Sequence, residues 1–181
     1  RTPPVWLPAT NQVPARVSAA PIQPAPKSAP TLTAESLPVA PRTGITGIGI
    51  MWSAPGCDFD LWVKSTPTAR DLCFGHIQSP EGRYYHDYRD RNQGVDYEYV
   101  ELKNPVDLRQ VKAYVNFYKG ATANPSGLVV LHYGGRTYQG NFTLRAPSGN
   151  QAAARDQRAQ SPHWVEIDLM QLLEPAPITS P

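Results

Sequence analysis

The chain has 181 residues, 40% of them hydrophobic and 18% charged, with a formal net charge of +2. That is enough apolar material for one ordinary domain with chain to spare, and so small a charge gives no electrostatic footprint for a nucleic-acid partner. No run approaches the roughly 20 apolar residues that span a bilayer, and no charged and then apolar leader opens the sequence, as expected where a signal segment is absent or removed.

The 20 prolines are uneven: ten fall in residues 1–42, where four basic residues face one acid. Proline fixes φ and restricts the residue before it, so residues 1–43 are predicted to form an extended, proline-rich, mildly basic arm. At about 3.1 Å per residue such an arm reaches on the order of 130 Å. Its scattered apolar residues, Val5, Trp6, Leu7, Val13, Val17, Ile22, Leu37 and Val39, suit the grooves of a neighbouring protein. The plain alternative is a spacer.

From Gly44 the strand signals recur. Residues 44–52 alternate, with Ile48, Ile50 and Trp52 on one face, and the glycines at 44, 47 and 49 permit a bulge or a close approach. After the turn at Ser53–Gly56, Asp58–Lys64 presents Phe59, Leu61 and Val63 on one face and the carboxylates Asp58 and Asp60 on the other. The two runs read as a hairpin. A third strand is predicted at Asp71–Ile77 and a short one at Arg83–Tyr88, followed by a charged loop over 89–94. Tyr97–Leu102 places Val100 and Leu102 opposite Tyr97, Tyr99 and Glu101.

Arg109–Lys119 is the cleanest alternation, with Val111, Ala113, Val115 and Phe117 inward. Leu128–Leu131 should be covered on both sides. Gly134 and Gly135 turn the chain into Arg136–Arg145, with Tyr138, Phe142 and Leu144 inward. Residues 146–161 read as a mobile loop with room for one helical turn. Trp164–Leu169 is a last strand, and 173–181 is a proline-rich tail. Eight or nine short strands and no long helix predict an all-β, antiparallel β-sandwich of jelly-roll or immunoglobulin-like type over 44–172.

The succession of Gly49-Ile50-Met51-Trp52, Asp58-Phe59-Asp60-Leu61-Trp62-Val63, Asp87, Tyr97-Glu98-Tyr99-Val100 and Tyr114-Val115-Asn116-Phe117-Tyr118 resembles a family of bacterial secreted and periplasmic β-sandwich domains of unknown function. The likeness covers about residues 45–145. It departs where the family has Gly-Gly and Gly-Pro and this chain has Asn92-Gln93-Gly94 and Val95-Asp96-Tyr97. The resemblance implies a sandwich, a non-enzymatic module and an envelope location.

Asp58, Asp60, Asp87, Asp90, Asp96 and Glu98 are acids that strand neighbours could bring together. Calcium takes six to eight such oxygens, and Asp58, Asp60 and Asp87 are its first candidates. The competing reading is a solvated acidic edge balanced by Arg83, Arg89 and Arg91. The four histidines, at 76, 86, 132 and 163, lack zinc-ligand spacing, and no serine sits in a nucleophile elbow. Neither catalysis nor a cofactor is expected.

Cys57 and Cys73 are the two cysteines, and a bridge between them would close a loop of roughly 16 residues, worth about 2–4 kcal/mol. A turn centred on Pro67 and Thr68 would instead set Cys73 opposite Trp62, so a buried pair of free thiols stands beside the disulfide as an equal reading.

Trp62, Tyr84, Tyr85, Tyr88, Tyr97, Tyr99, Tyr114 and Tyr118 are read as outward aromatics, the material of protein interfaces and of sugar-stacking faces. The predicted partner anchors are Trp6, Leu7, Trp62, Tyr97, Tyr99, Tyr114 and Tyr118. The expectation is a non-catalytic structural subunit that binds other protein subunits of a periplasmic or extracellular assembly, its arm threading along neighbours. The alternative is a carbohydrate- or calcium-binding adhesion module on a proline-rich stalk.

Overall fold

The computed structural model describes residues 31–88 and 95–174, with backbone alone for 86–88. Among the described residues there are eight strands: β1 (Ile45–Trp52), β2 (Asp58–Lys64), β3 (Gly82–Tyr88), β4 (Asp96–Lys103), β5 (Lys112–Lys119), β6 (Ser126–Tyr133), β7 (Arg136–Thr143) and β8 (Trp164–Ile167). A five-residue helix, α1 (Leu169–Leu173), follows. The strands form a five-stranded sheet in the order β3-β4-β1-β6-β7 and a three-stranded sheet in the order β2-β5-β8. Every pairing is antiparallel.

The period of two explains how the sheets meet. Ile48, Ile50 and Trp52 of β1, Val100 and Leu102 of β4 and Val129 and Leu131 of β6 face Phe59, Leu61 and Val63 of β2 and Ala113, Val115 and Phe117 of β5 in one buried cluster. Trp52 stands edge-on to Phe59 at 5.5 Å, and Phe59 packs on Phe117 and Phe142 at 4.7 and 5.7 Å. The Trp52 indole N–H donates to the Cys57 carbonyl at 2.9 Å, so the ring is buried without an orphaned donor. Full burial of each such ring contributes about 1.5–3 kcal/mol.

β6 is covered on both faces as its apolar run predicts, since Leu128 and Val130 enter a second cluster on the outer side of the five-stranded sheet. Gly134 and Gly135, at φ 59° and 74°, make the left-handed two-residue turn into β7.

Several expectations need correction. β1 and β2 are not a hairpin: they lie in different sheets, and the turn at Ser53–Gly56 carries the chain across the core. Asp71–Ile77 is not a strand. Only isolated bridges form there, Val63 with Leu72 and Cys73 with His76, and they lay this segment against the free edge of β2 before it doubles back. The last strand ends at Ile167 because the Asp168 carboxylate accepts from the backbone N–H groups of Met170 and Gln171 and starts α1. Residues 31–43, assigned to the arm, lie against the domain, with Leu37 buried in the second cluster.

Candidate protein-docking site

The arm's described end crosses the outer face of the five-stranded sheet. A single 3-10 turn, Ala34–Ser36, brings the chain down onto β6 and β7, and the Ala34 N–H donates to the Gln139 side-chain oxygen at 2.8 Å. Leu37 then inserts between Met51, Tyr99, Leu128 and Val130, with Leu32, Ala34 and Val39 packed around it. Further on, Arg42 donates to both oxygens of Glu101 at 3.0 and 3.3 Å, and the Tyr85 hydroxyl donates to the same carboxylate at 2.7 Å. The arm's described end is thus fastened by an apolar plug and an ion pair, beside the Ala34–Gln139 hydrogen bond. The ion pair is the lesser of the two, since the Arg42 side chain is 61% exposed.

Glycines on β1 make the seat. Tyr99 belongs to β4, yet its ring crosses β1 above Gly47 and Gly49 to bring its hydroxyl within 2.9 Å of His132 Nδ1 on β6. A methyl on Gly47 would fall 1.7 Å from that hydroxyl, and one on Gly49 would fall 3.0 Å from both Tyr99 and Leu37. The close approach anticipated at these glycines is therefore made, by an aromatic ring and the arm's leucine. Burial pushes the Tyr99 hydroxyl well above the ordinary tyrosine range and pushes His132 below its own. A hydrogen bond to Glu101, then burial, raises Tyr85, and Glu101 raises Arg42.

The predicted anchors divide between two opposite faces. Tyr97 and Tyr99 lie on the outer side of the five-stranded sheet, where Tyr97 packs half-buried in the cluster that holds Leu37. Trp62, Tyr114 and Tyr118 belong to β2 and β5, on the outer side of the other sheet. Trp6 and Leu7 lie outside the described residues. Two of the outward aromatics keep their face but are covered, and one points the other way. Tyr99 is 1% exposed beneath Leu37, and Trp62 is 3% exposed beneath Phe74, Trp164 and two arginines. Tyr84 points into the core with Val100 and Leu102. Tyr118 is half-buried against Phe74, which is itself 45% exposed.

On the three-stranded sheet, Trp62, Tyr114 and Trp164 stand around the Arg158 guanidinium, whose carbon is 5.6, 4.6 and 5.1 Å from the three ring centres. The same guanidinium forks onto both oxygens of Asp71 at 2.9 and 2.6 Å. Sequence reasoning did not find Arg158, Asp71 or His132. Asp71 and Arg158 lie 87 positions apart, and no local pattern joins them.

Asp58 and Asp60 are buried on the outer face of β2, and Glu98, fully buried on β4, reaches between the sheets to accept from the Leu61 N–H. That contact satisfies a backbone donor at the free edge of β2. Among the described residues no group of three His, Cys, Asp or Glu side chains is placed to hold a metal ion. The side chain of Asp87, and Asp90 entirely, lie outside the described residues.

Cys57 and Cys73 are free and buried, so the bridge between them is not formed. They sit on opposite sides of the three-stranded sheet, Cys57 in the inter-sheet core and Cys73 with Trp62 and Trp164. The Val63–Leu72 bridge puts Cys73 level with Trp62, the register that the turn at Pro67 and Thr68 predicts. Burial raises both thiols above their ordinary range.

Comparison with protein-family models, with curated proteins and with solved structures finds no match for this chain. No helix among the described residues is long and apolar enough to cross a membrane.

Proposed function

We propose that this chain is a non-catalytic accessory subunit of an envelope-associated or extracellular assembly. An immunoglobulin-like or jelly-roll sandwich forms its body, and its proline-rich arm binds neighbouring proteins. The observation that carries this reading is the rooting of the arm: Leu37 is plugged into the face of the five-stranded sheet and Arg42 is paired with Glu101. A proline-rich sequence has few conformations to lose, so its apolar residues dock on a neighbour at reduced ordering cost.

A photo-crosslinking residue placed at Trp6 in the native host tests it. Adducts with other polypeptides are expected, and adducts confined to the chain itself refute it. The second reading, a glycan-binding adhesion module, draws on one feature, the Phe74–Tyr118 ring pair at 5.8 Å with Phe74 open to solvent. Glycan-array binding that is lost in Phe74→Ala would favour it.

A further inference from the structure

We infer that Trp62, Tyr114, Trp164 and Asp71 form a receptor for an arginine side chain of a partner polypeptide, and that the chain's own Arg158 fills it in the free protein. Three aromatic rings within 6 Å of one cationic carbon, with a carboxylate closing the open side, are the surroundings that stabilise a desolvated cation. The planar fork onto both oxygens of Asp71 selects a guanidinium over an ammonium, which would meet the carboxylate as a point charge. The occupant is well enclosed, with the Arg158 side chain only 11% exposed.

The occupant's own segment is what separates a closed receptor from a plain structural contact. Arg158 is delivered by a loop in which Gln151, Ala152 and Ala154 all have left-handed backbones, at φ 54°, 56° and 59°. Residues other than glycine adopt that conformation at a cost, and such positions persist where the surroundings hold them. Arg158 supplies part of that holding, since its Nε also donates to the Arg155 carbonyl at 3.0 Å, a bond that its withdrawal would break. The loop stays out of the inter-sheet core. Its first part is tied down, with the Gln151 N–H on the Tyr118 carbonyl and the Trp164 indole N–H on the Ala153 carbonyl, both at 2.8 Å, and Ala152 packed beside Trp62 and Trp164. The part free to move with Arg158 is therefore the mostly exposed stretch 154–160. A cleft of about 360 Å³ opens beside the cage, lined by Arg145, Trp164 and Glu166, and gives a partner chain a path to the rings. An intramolecular arginine competes at high effective concentration, so the free protein should bind an added arginine weakly until the loop is displaced.

The cage lies on the other sheet from the arm and is tested apart from it. In the full chain, Arg158→Ala empties the cage, and Arg158→Gln does so with a bulkier residue if the alanine protein does not fold. N-acetylarginine methylamide is titrated against tryptophan emission, beside its lysine counterpart. The emptied protein should bind the arginine probe saturably, about tenfold more tightly than the lysine probe and about tenfold more tightly than the wild type does. Adding Asp71→Asn should erase the preference for arginine. In the wild type, hydrogen exchange should show the amides of 154–160 at least about 100-fold less protected than those of β5. A missing saturation, equal binding of the two probes, or loop amides as protected as β5 would each overturn the assignment.

Discussion

Gly47→Ala should destabilise the protein by about 2–4 kcal/mol, although it adds a single methyl group to a strand. The added Cβ would lie 1.7 Å from the Tyr99 hydroxyl oxygen and 2.5 Å from the ring carbon bearing it, against an ordinary contact of about 3.5 Å. Tyr99 cannot swing aside freely, because it is 1% exposed, lies under Leu37 and is bonded to His132. Forcing it away costs about 1–3 kcal/mol of overpacking, and breaking the Tyr99–His132 bond leaves two buried polar groups unpaired for about 1–3 kcal/mol more. The lower chain entropy of alanine in the unfolded state returns about 0.4–1 kcal/mol.

Urea unfolding followed by tryptophan emission reads the difference, which at a slope of about 2 kcal/mol per molar moves the midpoint by about 1–2 M. The decisive comparison is the same change in a Tyr99→Leu background. With the ring gone, Gly47→Ala should cost under about 0.5 kcal/mol, giving a coupling energy far above what distant sites show. A Gly47→Ala protein as stable as the wild type, or one equally destabilised in both backgrounds, would refute the close approach as the cause.

Leu37→Asp should release the segment before β1 without unfolding the sandwich: limited proteolysis between 31 and 43 should accelerate at least tenfold, while near-ultraviolet dichroism of the core tryptophans holds. Glu98→Ala should cost at least about 1–3 kcal/mol in urea, since the Leu61 N–H is left without its acceptor, and Glu98→Gln, which keeps an acceptor oxygen, should cost less. His132 is buried and its pKa is lowered from 6.5 by that burial, so the unfolded chain takes up its proton first as pH falls. Its contribution to stability is therefore level above about pH 6.5 and declines below it, by up to about 1.4 kcal/mol per pH unit until the folded protein also protonates. Between pH 7 and 5.5 the decline should be smaller in His132→Gln, and an unchanged slope would remove His132 as its source. Denatured and unreduced, the protein should show two free thiols.

The strands were legible because alternation records which face is buried, and the residues expected inward from β4, β5 and β7 meet in the core. Their partners were less so. Two successive strands bury the same parity whether they pair within one sheet or face each other across the core, so the pattern at Ile48–Trp52 and Phe59–Val63 could not separate a hairpin from a crossing. Tyr84 and Trp62 show a second limit: Tyr84 takes the inner face although an amphipathic aromatic fits either, and Trp62 keeps its outer face but is covered by residues from distant parts of the chain. α1 was invisible for want of length, since five residues hold little more than one helical period. The arginine cage depends on Asp71, Tyr114, Arg158 and Trp164, brought together from distant parts of the chain.

The way the arm joins the body has a mechanical consequence. Tension applied from the N-terminal side would meet Leu37, then the exposed Arg42–Glu101 pair, and then β1, the middle strand of five, which is laced to β4 from Ile45 to Trp52 and to β6 from Gly47 to Met51. Leu37 is a single side chain on the sheet surface, whereas β1 would have to part from both flanking ladders, so a pull from that side would free the segment before β1 ahead of the strand itself.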